Sequence, residues 1–248
     1  MSNPYRKYAR KRFTRLRELL ISLETQCDPK VVHHARIELR RIRALLKVVH
    51  FGNQKFRDHT FFRPFKRVHR ILGQLRDPYV VQSLVQNVSE NDGQTRLALP
   101  IQIPEPNGIL LAFQQELPAL VEGLDRQEAV VVGKAGKVNK KLMKKYLRRK
   151  QRGLKRMIHP KLKTRELHDI RKTIRDMIYL MDIKGGPGRV PAFFTWAAEL
   201  LGDWHDKTLL IGLIRDSEAE LPGLIDHLRN ACHADLKQFR KRSKKHFG

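Results

Sequence analysis

The stretch HHARIELRRIRALLKVVH, residues 33 to 50, constrains this chain more than any other. Its basic residues fall at His33, Arg36, Arg40, Arg43, Lys47 and His50, a three-and-four alternation normally kept for the apolar seam of a packed helix. At 100° per residue the stripe covers about 100° of helix surface. Ala35, Leu39, Ile42, Leu46 and Val49 flank it on one side and Ile37, Ala44 and Val48 on the other, leaving His34, Glu38, Arg41 and Leu45 opposite. A solvated basic face would lie across the helix from a single apolar stripe. Cations held between two apolar shoulders are instead predicted to point inward, into a cleft. Cations about 5–6 Å apart on one face repel one another by roughly several kcal/mol at intermediate dielectric. Such a cleft needs carboxylates from neighbouring helices or an anionic ligand.

Carboxylates are scarce. The chain holds 51 Lys and Arg against 25 Asp and Glu, a formal charge of +26. That excess goes far beyond what solubility asks for and predicts a polyanionic partner. With 248 residues and 41% hydrophobic content, the chain can bury a core as one large domain or two small ones. Cys27 and Cys232 have no metal-type spacing and read as buried thiols of a reducing compartment. The opening MSNPYRKYARKRF lacks the apolar core of a secretory leader, and no apolar run nears the roughly 18 residues that span a bilayer. These features predict a soluble cytoplasmic protein.

Helical periods run over Tyr5–Thr25, Pro29–Phe51, Arg57–Leu75 and Tyr79–Val88, and strand-like alternation is confined to 97–103. Breaks are expected at Asp28-Pro29, Gly52-Asn53, Asp77-Pro78, the proline-rich interval Asn91–Gly108, Gly133–Gly136, Gly185–Gly188 and Pro222-Gly223. Asp28 is an N-cap candidate with Pro29 in the first turn. Further helices are expected over 137–157, 162–184, 190–202, 206–219 and 222–246, making about ten in an all-α fold.

Self-comparison indicates a duplication. HHARIELRRIR and HDIRKTIRDMI share His33/His168, Arg36/Arg171 and Arg40/Arg175, and LGQLRD at 72–77 and LGDWHD at 201–206 share Leu, Gly and Asp in the same order. Two halves, 1–130 and 131–248, follow, with a boundary near Glu128–Lys134. Other helices carry similar seams: Lys141, Lys145, Arg148, Arg152 and Lys155; His233, Lys237, Arg240 and Lys244; and a shorter one at Arg6, Arg10 and Arg17. For these the alternative is an ordinary solvated face.

The H-x2-R-x3-R helix in each half, with LGQLRDPYVV and LGDWHDKTLL, resembles the CHAD family, the conserved histidine α-helical domain, over nearly the whole chain. The resemblance implies a single domain, 1–248, of two four-helix-bundle-like halves related by pseudo-twofold symmetry around a basic central channel. It also implies binding of inorganic polyphosphate, often at polyphosphate granules. The E-x-E-x-K signature of the triphosphate-tunnel domain that accompanies many members is absent, so the chain resembles a stand-alone member. Asp176 and Ile178 stand where the first half has Arg41 and Arg43, so the second His/Arg helix should supply fewer cations.

A linear polyphosphate has no bases to read, and a path of cations suffices to hold it. Arg36, Arg40, Arg43, Arg171 and Arg175 suit bidentate contacts to phosphate oxygens, while Lys47, Lys141 and Lys145 supply point charge. Arg10, Arg148, Lys237 and Arg240 complete the expected lining. His33 and His168 should gain protons beside phosphate, so affinity is expected to weaken from about pH 6 to about pH 8; each also fits a neutral core imidazole.

Two other classes compete. Non-specific nucleic-acid binding would satisfy the charge, but aromatics are 7% and FTW and DW read as core or bundle-edge residues rather than base-stacking platforms. A metal phosphohydrolase built on His168-Asp169 or His205-Asp206 needs further converging ligands, and His59, His69 and His159 lack persuasive spacing. No enzyme, cofactor or metal is therefore expected. KGGPGR at 184–189 reads as a connecting loop more than an anion-binding nest. Asp77 and Asp206 read as N-caps or as partners of inward arginines.

Overall fold

In a computed structural model, the structure describes residues 3–24, 28–91, 107–159, 162, 164–184, 190–216 and 222–247. Among these every regular element is helical, as an all-α fold requires. The elements are α1 (Pro4–Ser22), α2 (Pro29–Gly52), α3 (Asp58–Asn91), α4 (Asn107–Ala135), α5 (Lys140–Met157), α6 (Thr164–Met181) with a 3-10 turn (Asp182–Lys184), α7 (Ala192–Asp216) and α8 (Pro222–Phe247). Cys27, the 97–103 run and the glycines of KGGPGR lie outside the described residues.

Local chemistry fixes the helix starts. Asn3 accepts from the Tyr5 and Arg6 amides, with Pro4 in the first turn of α1. Asp28 accepts from the Lys30 amide at 2.7 Å, with Pro29 likewise placed in α2, so the cap read from the sequence is the cap that forms. Two expected breaks do not occur. α3 runs through Asp77-Pro78 and α7 through Asp203–Asp206, so Asp77 and Asp206 are interior helix residues and not N-caps. A proline removes one helical N–H, and α3 continues past that missing bond, as α4 does at Pro118. The glycine of each Leu-Gly pair sits inside a helix, Gly73 for a packing reason given below.

The chain forms two compact units. Unit 1 comprises 1–79, 105–150 and 179–189; unit 2 comprises 80–104, 151–178 and 190–248. In unit 1, α1 packs against α2 and α4, and α2 also meets α4. Its core runs from Phe13, Leu16 and Leu20 of α1 through Leu39, Ile42 and Leu46 of α2 to Phe65 and Leu72 of α3, and Phe113 and Leu124 of α4. α5 joins through Tyr146, whose ring stands edge-on to Phe51 at 5.3 Å. In unit 2, α7 packs on α8, and its buried residues include Ile170, Ile174, Phe194, Leu201, Trp204, Ile214 and Phe239. Cys232 is buried there, and burial raises its thiol pKa.

Candidate functional site

Both predicted shoulders of α2 are buried, Ala35, Leu39, Ile42, Leu46 and Val49 on one side and Ala44 and Val48 on the other, with Ile37 half-buried. The stripe between them is graded: His33, Arg36, Arg40, Lys47 and His50 are half-buried and Arg43 is exposed. His50 at its end bonds through Nδ1 to the Phe56 carbonyl and so anchors the turn after α2.

Arg36 is the centre of the arrangement. Its Nη1 donates to the His69 carbonyl of α3 at 2.9 Å. A Cβ placed on Gly73 would stand 2.6 Å from that same nitrogen, so the glycine of LGQLRD leaves the space in which the guanidinium lies. Arg36 Nε is buried and meets no hydrogen-bond partner among the described residues. Burial, then Arg40 and Arg76, push its pKa down to about 10 against the opposing pull of Asp77. Asp77 is exposed and acts on Arg36 only as the opposing charge. Burial is the larger cause of that shift, and the neighbouring arginines add to it.

His69, across on α3, responds to the same field. Burial lowers its pKa to about 4, helped by Arg36, Arg40 and Arg43 in that order. Its imidazole is thus neutral near pH 7. The sequence offered His69 only as a weak metal-ligand candidate; its place among the arginines depends on the α2–α3 packing, which no spacing reveals. Arg43 lies with its guanidinium carbon 5.1 Å from the Phe62 ring centre, a cation–π contact.

The far side of α2 holds a second polar group. Glu38 is buried, and both its oxygens accept from Arg12 Nη1 of α1 at 3.0 and 3.1 Å, while Arg41 Nη1 donates to Oε1 at 2.8 Å. Tyr8 packs beneath Arg12 at 5.1 Å, and burial raises its phenol pKa. Here cation and carboxylate are matched.

In unit 2, His168 stands edge-on to Trp204 at 5.2 Å and to His205 at 5.0 Å. The histidines of the two His-Asp pairs thus meet each other, while Asp169 is exposed and pairs with Lys172 at 3.5 Å. Burial lowers the His168 pKa, aided by Arg171 and Lys172 and opposed by Asp169. Arg171 and Arg175 are half-buried on the same helix, and a Cβ on Gly202 would lie 3.9 Å from Arg175 Nη2, ordinary contact rather than a clash.

Arg10, Lys141, Lys145, Arg148 and Lys237 are exposed. Arg17 is held by Asp125 and by Glu128, the latter at 2.8 Å, and these bonds raise its pKa, so the short α1 seam is partly neutralised. Arg240 lines a separate cavity between α5 and α8. Among the described residues no three His, Cys, Asp or Glu side chains gather to hold a metal, and no helix is long and apolar enough to cross a membrane.

The CHAD domain model matches residues 7–215 of the 248. The chain belongs to the CHAD family. Neither a curated protein nor a solved structure matches it. CHAD domains are known to bind polyphosphate, and the matched span contains α2, α3, α6 and nearly all of α7 but none of α8. The His/Arg helices and Leu-Gly pairs that carried the resemblance fall inside it.

Proposed function

We propose that this CHAD domain binds inorganic polyphosphate without catalysing its turnover, with the α2 seam facing α3 as the principal contact. One observation carries the reading: Arg36 is pressed against Gly73 with a buried, unsatisfied Nε, among Arg40 and Arg76 and opposed by Asp77. Phosphate oxygens supply the acceptor that Arg36 Nε lacks, and a counter-charge that suits the neighbouring arginines. Arg40, Arg43, Lys47 and His33 extend the path along α2, and His168, Arg171 and Arg175 form its counterpart on α6. Nucleic acid is the competing polyanion. Trp204 is buried, and Trp196 packs on Phe239 with Arg242 4.3 Å from its ring centre, so neither offers an open stacking face.

Competition at physiological salt tests the assignment. Long-chain polyphosphate should displace single- and double-stranded oligonucleotides, and incubation with Mg²⁺ or Mn²⁺ should release no orthophosphate. Oligonucleotides that resist displacement would reverse the choice of ligand, and steady phosphate release would make the protein an enzyme. Residence in the cytoplasm and recruitment to polyphosphate granules follow from the same reading, with no protein partner implied.

A further inference from the structure

Unit 2 contains a cavity of about 490 Å³ where the end of α5 meets α8, lined by Lys155, Ile158, His159, Arg240, Lys241, Ser243, Lys244 and Phe247. Its α8 contribution follows from spacing: 240, 243, 244 and 247 share one helix face. Four of the side chains are Lys or Arg. Two observations separate this cavity from a merely solvated basic face. Ser243 is fully buried, and its hydroxyl meets no hydrogen-bond partner among the described residues; Arg240 Nε is likewise buried without one. A helical serine commonly bonds back to the carbonyl four residues earlier, and this one does not.

The walls are the second point. Ile158 and Phe247 present apolar surface between the cations. Phe247 is held edge-on by Phe193 at 5.3 Å and by His246 at 4.7 Å, so its ring is a fixed wall. A bare phosphate chain has no use for such a surface, because it gains nothing by covering apolar area. A pocket of this size, with apolar walls and a few converging polar groups, is the pattern of a small-molecule site. α8 also lies beyond the span matched to the CHAD family.

We propose that this cavity binds a nucleoside polyphosphate, with its base against Phe247 and Ile158 and its phosphates on Arg240, Lys241, Lys244 and Lys155. Ser243 Oγ and Arg240 Nε supply the donors that meet the innermost phosphate or ribose oxygens. The site is independent of polyphosphate binding at the α2 seam.

Isothermal titration of the full chain with ATP and with inorganic triphosphate tests it. ATP should bind at least about tenfold more tightly, because only ATP covers the apolar wall. Phe247→Ala should remove that margin while changing triphosphate affinity by less than about twofold, whereas Lys241→Ala with Lys244→Ala, both exposed, should weaken both ligands by about tenfold. The ATP signal should persist in Arg36→Ala with Arg40→Ala, which keeps this result separate from the fate of the polyphosphate reading. Equal affinity for ATP and triphosphate, or an unchanged ATP affinity in Phe247→Ala, overturns the proposal.

Discussion

Gly73 gives the site its room at the scale of single residues. Gly73→Ala would set a methyl 2.6 Å from Arg36 Nη1. The contact is with the end of a flexible side chain, so the guanidinium swings away at modest cost, and alanine's better helix propensity returns up to about 1 kcal/mol. Thermal stability should therefore change little while polyphosphate affinity falls about three- to tenfold, as a melting curve and a titration on the same sample would show. His69 gives a second residue-scale prediction, in pH. Its folded pKa is depressed from 6.5 to about 4, so the unfolded chain takes up the proton first. The stability it contributes is complete above about pH 6.5 and is lost as pH falls toward about 4. His69→Gln should remove that part of the slope in urea unfolding curves across the interval. A polyanion held beside them should raise the pKa of both His69 and His168, each starting below 6.5. Affinity should then strengthen mainly below about pH 6.5, a lower window than the interval from about 6 to 8 expected of unperturbed histidines. Periodicity exposed the arginine stripe; the histidine that reads its field sits on another helix and was invisible to spacing.

Among the helices, the tie between α1 and α2 carries the clearest test. Arg12 supplies the double contact to buried Glu38, and Arg41 alone replaces it poorly. Arg12→Ala should cost about 2–3 kcal/mol, because a buried carboxylate loses half its charge compensation, and chemical denaturation measures it. The sequence placed Glu38 opposite the seam without indicating that α1 would cover it, since that needs knowledge of which helices become neighbours. Helix starts were legible where a side chain makes the cap, at Asp28. Helix ends were misread at Asp77-Pro78 and within 203–206, because proline, glycine and aspartate signal a break only when tertiary packing does not hold the helix together. Gly73 shows the converse: its signal was for close packing of arginine, not for a turn.

Across the whole molecule, the net charge of +26 attracts any polyanion at low salt, so binding alone says little. Specific use of the α2 seam separates a built site from bulk attraction. The account is tested most directly by titrating long-chain polyphosphate, at physiological salt, into the wild type, Arg36→Ala with Arg40→Ala, and Lys11→Ala with Arg15→Ala. The last pair removes the same charge from exposed positions of α1. Loss of about tenfold or more in affinity from the α2 pair alone, with helicity unchanged by circular dichroism, is the predicted result; equal losses from both pairs would contradict it.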